Sequence, residues 1–262
     1  MRLDSPENSA AMDHLVACDA LEGEIELFAG RLHDAPMQAA ISSCPGWSIG
    51  DLALHLGTVH RWAEYLIKVR APAGIPSSEM NLSTGPADAQ WIRSGGASLV
   101  STLRTTDPAT AMWAWGADQH AAFWSRRQLH ETLVHRTDLE QALGIDPKVD
   151  AAIAADAVDE FLVNLPMAAH FSPNVTRLRG NGERLAFVSF DTDRSWNILL
   201  SPEGFTVGDV NEQSMPPAVS IIGHVLPLLL VLYRRRSPAE VGVAIEGNRE
   251  LADFWLANSA LE

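Results

Sequence analysis

Apolar residues follow a helical spacing from the N-terminus to about residue 165. Over residues 9–32 they recur three or four positions apart, with Gly30 near the end, which predicts a first helix. Its apolar face comprises Leu15, Cys18, Leu21, Ile25 and Phe28. A second helix is predicted from Ser48 to about Arg70, because Ser48 and Asp51 have the spacing of a capping box.

Three further helices are predicted in this part of the chain. A loop rich in proline, glycine and serine leads into a weaker third helix over about 88–104, where two successive glycines interrupt the pattern. A fourth helix spans about 117–143 and ends at Gly144, and a fifth spans about 150–165.

Beyond about residue 170 the pattern alternates with a period of two, which is typical of strands. Residues 185–190 and 196–200 alternate on either side of a turn at 191–194, which predicts a hairpin. The remaining predicted elements are strands over 204–210, 218–222 and 243–246 and helices over 225–234 and 249–258.

Together these elements predict an α+β fold in two domains. Residues 1–165 form a four-helix bundle with one further helix, and residues 166–262 form a small α+β domain. A chain of 262 residues is long enough for two hydrophobic cores of ordinary size.

The charge balance excludes two classes of partner. The chain has 33 acidic and 19 basic residues, a formal net charge of −14, whereas binding to nucleic acid or to an anionic membrane requires a basic surface. The longest apolar run, residues 225–233, has nine residues and is too short to span a bilayer, so we expect it in the core. Two cysteines and the lack of a secretion signal predict a cytoplasmic protein.

Candidate metal ligands lie on two of the predicted helices. Glu131 and His135 are four residues apart and share one face of the fourth helix. His130 is five residues from His135, so the segment is not an HExxH zinc motif. His55 in the second helix could complete a 2-His-1-carboxylate set with open positions, whereas His60 is five residues further on and points elsewhere.

Spacing alone leaves structural interpretations open for these residues. A Glu/His pair is common on solvated helix faces, and a histidine among leucines often belongs to the core. Asp51 and Asp138 could each orient an imidazole, or could serve as a helix cap and a surface charge. Cys44 has no basic residue close to it in sequence, which favours a structural thiol over a reactive one.

Several segments resemble one known family. CPGWSIGDLALHLGTVHRW (44–62) and HETLVHRTDLEQALG (130–144) are similar to two signatures of the mycothiol-dependent maleylpyruvate isomerase family. DTDRSWNILL, IIGHVLPLLLVLYRRRSPAEV and IEGNRELADFW are similar to its C-terminal domain. The resemblance implies a DinB-like four-helix bundle followed by a small α+β domain.

The resemblance also implies roles for individual residues. His55, Glu131 and His135 match the ligands of a divalent metal, usually zinc, and Arg235 matches an arginine that lies in the family's cleft. Arg234 stands where the family usually has glycine, and with Arg236 the chain has three successive arginines. Which of the three faces the cleft is open at this point.

The implied activity is thiol chemistry on a small electrophile. A zinc-bound thiol loses its proton, so mycothiol would act as a thiolate cosubstrate. Addition to a cis alkene such as maleylpyruvate allows rotation and gives the trans isomer, whereas a substrate with a leaving group would give S-transfer. Arg235 would bind a substrate carboxylate. A metal-dependent hydrolase and a non-catalytic ligand-binding relative are the alternatives.

Overall fold

The first half of the chain is helical. The computed structural model describes residues 12–80, 82, 85–208 and 216–260. Its first four helices pack as a bundle in which α1 contacts α3 and α4, and α2 also contacts both. Their bounds are α1 (His14–Leu32), α2 (Ile49–Val69), α3 (Ala89–Thr105) and α4 (Ala121–Ala142), with a 3-10 turn at Ser77–Glu79.

Side-chain caps determine where the first two helices begin. The Asp13 carboxylate accepts the amides of Leu15 and Val16, so α1 begins at His14 rather than at residue 9. Residues 9–11 of the predicted helix lie outside the described residues. The capping box of Ser48 and Asp51 is confirmed at the start of α2.

The other helices differ from prediction where tertiary contacts intervene. α3 is continuous through Gly95 and Gly96, where a Cβ would lie 2.3 Å from Arg61 Nη1 and 2.7 Å from Ile25 Cγ2 respectively. These glycines therefore allow close packing rather than interrupt the helix. α4 begins at Ala121, four residues later than predicted, because residues 111 and 120 pair in an isolated bridge.

Five strands form one mixed sheet in the order β3-β2-β1-β4-β5. The strands are β1 (Arg184–Ser189), β2 (Ser195–Ser201), β3 (Gly204–Val207), β4 (Val219–Gly223) and β5 (Ala244–Gly247). The predicted hairpin is confirmed as β1 and β2, with Phe187 opposite Trp196, and β4 pairs parallel to β1. The last two residues of the predicted strand 204–210 lie outside the described residues.

Three helices accompany the sheet: α5 (Ala151–Asn164), α6 (Val225–Leu232) and α7 (Arg249–Asn258). α6 packs against α5, β1 and β4, so the apolar run at 225–233 belongs to the core as predicted. 3-10 turns cover Leu165–His170, Pro173–Arg177 and Pro238–Val241. Among the described residues, no helix combines the length and apolar character needed to cross a membrane. The protein is therefore α+β, as the sequence predicts.

α4 lies between two hydrophobic clusters. Leu129 and Leu139 belong to the cluster of the bundle, whereas Leu133 and Val134 belong to the cluster formed by α5, the sheet, α6 and α7. Such a helix has buried residues on all sides, which is why α4 shows no clear apolar face in sequence. The domain boundary at 165/166 stays a prediction.

One residue of the predicted apolar face of α1 lies outside the core, because Leu15 is 55% exposed. Leu54 of α2 is also exposed, at 45%. The remaining members of the predicted face of α1 are buried: Cys18, Leu21, Ile25 and Phe28.

We expect Gly57→Ala to destabilise the bundle. A Cβ on Gly57 would lie 2.1 Å from Trp91 Cζ3, and a Cβ on Gly85 would lie 2.1 Å from Cδ1 of the same indole, so the backbone packs closely on this ring at two places and the indole has little room to move. The expected loss in free energy of unfolding is about 1–3 kcal/mol. Chemical denaturation measures it.

Gly30→Ala is the matched control, because Gly30 is helical and a Cβ there meets nothing within 4 Å. This variant should be more stable by roughly 0.5–1 kcal/mol through helix propensity. Equal stability changes in the two variants would contradict the packing account.

Candidate metal centre

The structure brings the three predicted ligands together. His55 Nε2 lies 3.3 Å and His135 Nε2 lies 3.2 Å from the same Oε1 atom of Glu131. One donor atom from each residue lies within 4.8 Å of the other two. Two imidazoles and one carboxylate oxygen therefore converge between α2 and α4.

The indole of Trp47 packs against both imidazoles. The ring centroids of His55 and His135 are 5.0 Å apart at 79°. Trp47 lies 4.8 Å from His55 and stacks at 6.3 Å on His135 with an interplanar angle of 23°. Because Trp47 directly precedes the Ser48 cap, the capping box also helps to position this indole.

The second oxygen of Glu131 is held by an arginine. Arg127 Nη2 donates to Glu131 Oε2 at 3.1 Å, and Arg127 Nη1 donates to Glu160 Oε2 at 2.7 Å. Asn164 in turn donates to the other oxygen of Glu160 at 2.9 Å. Oε2 of Glu131 is thus occupied, and Oε1 is left to face the two histidines.

The outer nitrogen of His135 contacts a fully buried carboxylate. His135 Nδ1 lies 3.0 Å from Asp138 Oδ2, a contact that orients Nε2 toward Glu131. Ser43 Oγ and Cys44 Sγ donate to the same carboxylate at 2.6 and 3.5 Å. Asp138 is therefore an orienting group, whereas Asp51 engages the N-cap residue Ser48 in the capping box.

Burial and close charges shift the pKa values of this cluster. Burial alone would raise the pKa of the Glu131 carboxyl, but His135, His55 and Arg127 hold it well below 4.5. Burial alone would lower the pKa of His135, but the carboxylates of Glu131 and Asp138 outweigh it and raise that pKa to about 9. Glu131 is thus a negatively charged carboxylate that attracts a cation.

The donor set fits a divalent metal such as zinc. Two imidazole nitrogens and one carboxylate oxygen are the ligands of open catalytic sites, and Glu131 and His135 each have a partner that orients them. Cys44, His135 and Asp138 form a second possible group within 4.8 Å. The oxygens of Asp138 are already engaged by Ser43 and Arg235, which favours the first set.

The other histidines of these helices have different partners. His60 is fully buried with Nε2 2.9 Å from Thr132 Oγ1, and burial lowers its pKa to about 3. His130 lies 2.7 Å from Asp156 Oδ2 on α5. Neither belongs to the three-residue set, as the sequence analysis predicts.

His55, Glu131 and His135 line a cavity of about 730 Å³ between the bundle and the turn after α6. A second cavity of about 660 Å³ adjoins it and shares the wall residues Trp47, His55, Val59 and Trp62. Trp115 and Phe171 form an apolar side of the first cavity. A volume of this size accommodates a small organic molecule.

Arginines of the C-terminal turn also line the first cavity. Arg235 Nε donates to both oxygens of Asp138 at 3.1 and 3.2 Å, which links this turn to His135. Arg234 lines the cavity as well, and Arg236 donates to Gln141 instead. Of the three successive arginines, two therefore face the cavity.

Sequence reasoning did not identify Arg127 or Trp47 as site residues. Arg127 lies four residues before Glu131, a spacing that indicates an ion pair on one helix face, but such pairs are common. Nothing in the local sequence marks Trp47 as a site residue except its position directly before a helix cap. Only the packing of α5 and the C-terminal turn shows that Arg127 belongs to the site.

The fold and the donor set define a helical bundle with a candidate metal centre under a small α+β unit. Residues 18–140 match the family model described as the mycothiol maleylpyruvate isomerase N-terminal domain. The helical bundle is thus similar to the N-terminal domain of that family. None of the curated proteins compared with the chain matches it.

Two crystal structures have a similar fold. One is the mycothiol-dependent maleylpyruvate isomerase, with a TM-score of 0.54 at 15% identity. The other is a histidine-to-alanine variant of a mycothiol-dependent maleylpyruvate isomerase, with a TM-score of 0.59 at 14% identity. Each comparison covers 90% of this chain and 93% of the other. The likeness therefore extends over both halves of the molecule.

We expect the Cys44 thiol to react slowly. Burial and the Asp138 carboxylate raise its pKa to about 11 although Arg235 opposes the shift. At pH 8 the thiolate fraction is then about a hundredfold below that of a cysteine with the ordinary pKa of 9.0. Alkylation by iodoacetamide should be slow at pH 8 and rise about tenfold per pH unit toward pH 10, because the thiolate is the reacting form.

Mass spectrometry of the alkylated peptide separates Cys44 from Cys18, which is fully buried. The urea-unfolded protein is the control and should react as an ordinary thiol. Alkylation of folded Cys44 at pH 8 as fast as in urea would contradict this account.

Proposed function

We propose that the protein is a metal-dependent enzyme that uses mycothiol to act on a small electrophile, with cis-trans isomerisation of a maleylpyruvate-type alkene as the reaction. The observation that carries the proposal is the convergence of His55, Glu131 and His135 beside a cavity that Arg235 also lines. The family match and the activity named for the two similar crystal structures support it. S-transfer to a substrate with a leaving group would use the same groups.

His55, Glu131 and His135 would hold one divalent metal, with zinc as the ion that suits this donor set. When bound, such an ion would supply Lewis acidity that lowers the pKa of a coordinated thiol to below neutrality. With three protein ligands, such an ion would retain the capacity to bind an exogenous group. Arg127 keeps Glu131 Oε2 engaged, so the carboxylate contributes one oxygen.

The chain's own residues perform binding and orientation. Asp138 keeps His135 Nε2 directed at the site and keeps Arg235 at the cavity wall. Trp47, Trp115 and Phe171 present apolar surface that excludes water from the carbon skeleton of a ligand. Cys44 stays protonated near neutral pH, so the nucleophilic sulfur would come from the cosubstrate rather than from the protein.

Arg235 would bind a carboxylate of the electrophile. Its Nε is used by Asp138 and its Nη1 donates to the Tyr233 carbonyl oxygen at 3.1 Å, which leaves Nη2 for a ligand. A guanidinium held in this way is pre-oriented, and pre-orientation reduces the entropy cost of binding. We therefore assign Arg235 as the catalytic arginine of the proposed reaction.

The metal assignment predicts about one divalent ion per chain in purified protein. His55→Ala should remove most of it, because two ligands from one helix bind an ion far more weakly than three. Elemental analysis by inductively coupled plasma mass spectrometry measures the content. His33→Ala, at an exposed histidine beside Asp34, is the matched control and should retain the metal. Stoichiometric metal in a variant with all three ligands replaced by Ala would contradict the assignment.

The proposed reaction predicts an absolute requirement for thiol. Turnover of maleylpyruvate, followed by its ultraviolet absorbance, should need mycothiol or a close analogue and should survive Cys44→Ala. Full turnover without thiol would instead indicate a hydrolase. Loss of activity in a folded Cys44→Ala protein would assign the nucleophile to the chain itself.

A further inference from the structure

We propose that Arg234 is a specificity-determining residue that binds an anionic group of the ligand at the mouth of the cavity. The inference rests on the proposed function for the reaction itself and assigns a residue to the second carboxylate of a maleylpyruvate-type substrate. This position selects ligands that carry a second carboxylate in addition to the one that Arg235 would bind.

Three arginines line the cavity, and two of them are already neutralised by carboxylates. Arg127 pairs with Glu160 at 2.7 Å and with Glu131 at 3.1 Å. Arg235 pairs with the fully buried Asp138 at 3.1 Å. Their charges are therefore largely balanced before any ligand enters.

Arg234 differs from both. Its side chain lines the same cavity and is exposed, and no carboxylate among the described residues forms an ion pair with it. Within the described part of the cavity wall, Arg234 is the arginine that no carboxylate neutralises.

The backbone at this position disfavours a side chain. Arg234 has a left-handed φ of 54°, a conformation that residues with a Cβ rarely adopt and that glycine adopts without strain. The turn requires it, because the amides of Arg234 and Arg235 donate to the Val231 and Leu230 carbonyl oxygens of α6 at 3.0 and 2.8 Å. Such strain beside a cavity raises the hypothesis of a function for the side chain, which variants at Arg234 test directly.

The surrounding groups favour a ligand with an apolar middle and charged ends. Trp47 and Trp115 line the same cavity as the metal ligands and the turn. A carbon skeleton can pack on these indoles while one anionic end meets Arg235 and another meets Arg234. Carboxylates suit the planar guanidinium because both present paired atoms.

Binding of two unreactive probes tests the proposal without thiol or turnover. Maleate carries two carboxylates, and isocrotonate carries one on the same cis four-carbon alkene. Titration calorimetry on the purified metal-loaded protein should show that Arg234→Gly raises the Kd of maleate roughly fivefold and that of isocrotonate less than twofold, as expected for one partly exposed charge pair. Arg234→Lys should keep the maleate Kd within about twofold of the unchanged protein.

Two further variants control for other effects. Arg234→Gly should unfold at an equal or higher temperature, because glycine relieves the left-handed strain, and Arg234→Gln should lose maleate affinity like the glycine variant. Arg236→Ala, at the neighbouring arginine that contacts Gln141, should leave both Kd values unchanged. Arg235→Ala should weaken both probes.

Three results would overturn the proposal. The first is an unchanged maleate Kd in Arg234→Gly, and the second is an equal loss of affinity for both probes in that variant. The third is that maleate does not bind to the unchanged protein. Because the assay involves no thiol and no reaction, failure of the proposed thiol chemistry would leave these results interpretable. Conversely, thiol-dependent turnover combined with unchanged maleate binding in Arg234→Gly would refute this inference alone.

Discussion

The buried carboxylate of Asp138 is the constraint on which the site depends. It contacts the outer nitrogen of His135, accepts from Ser43 before α2, and pairs with Arg235 after α6. A fully buried carboxylate is costly unless charges and donors surround it, so these segments must meet at one point. The same contact that orients a candidate ligand therefore also holds the C-terminal turn over the bundle.

Glu131 is constrained in a similar way from the other side. Arg127 engages one of its oxygens and is itself held by Glu160 of α5, whose second oxygen accepts from Asn164. Buried ionic chains of this kind contribute little net stability compared with apolar packing, but they specify geometry. Here they leave a single carboxylate oxygen facing two imidazole nitrogens, which is the arrangement that an open metal site needs.

The chemical character of the cavity beside Asp138 and Glu131 favours one kind of ligand. Its walls combine indole rings with arginines, and only the charge of Arg234 lacks a carboxylate partner among the described residues. Burial and Asp138 raise the pKa of the cysteine at the cavity edge, so we expect Cys44 to act as a structural donor rather than as a nucleophile. Binding, orientation and exclusion of water are thus distributed over α2, α4, α5 and the turn after α6.

The sequence by itself determined the helices, the hairpin, the capping box and the pairing of Glu131 with His135, because these depend on spacing within one element. The place of His55 in the second helix also suggested it as the third ligand. The resemblance of local segments supported that choice and added Arg235, and the fold is the one it implied. Tertiary structure alone decided that Arg127 holds Glu131 and that Asp138 joins His135 to Arg235. It also decided that Leu15 and Leu54 are exposed and that α4 is buried on all sides. Local periodicity cannot show which face meets a second layer, since that depends on contacts between residues far apart in the chain.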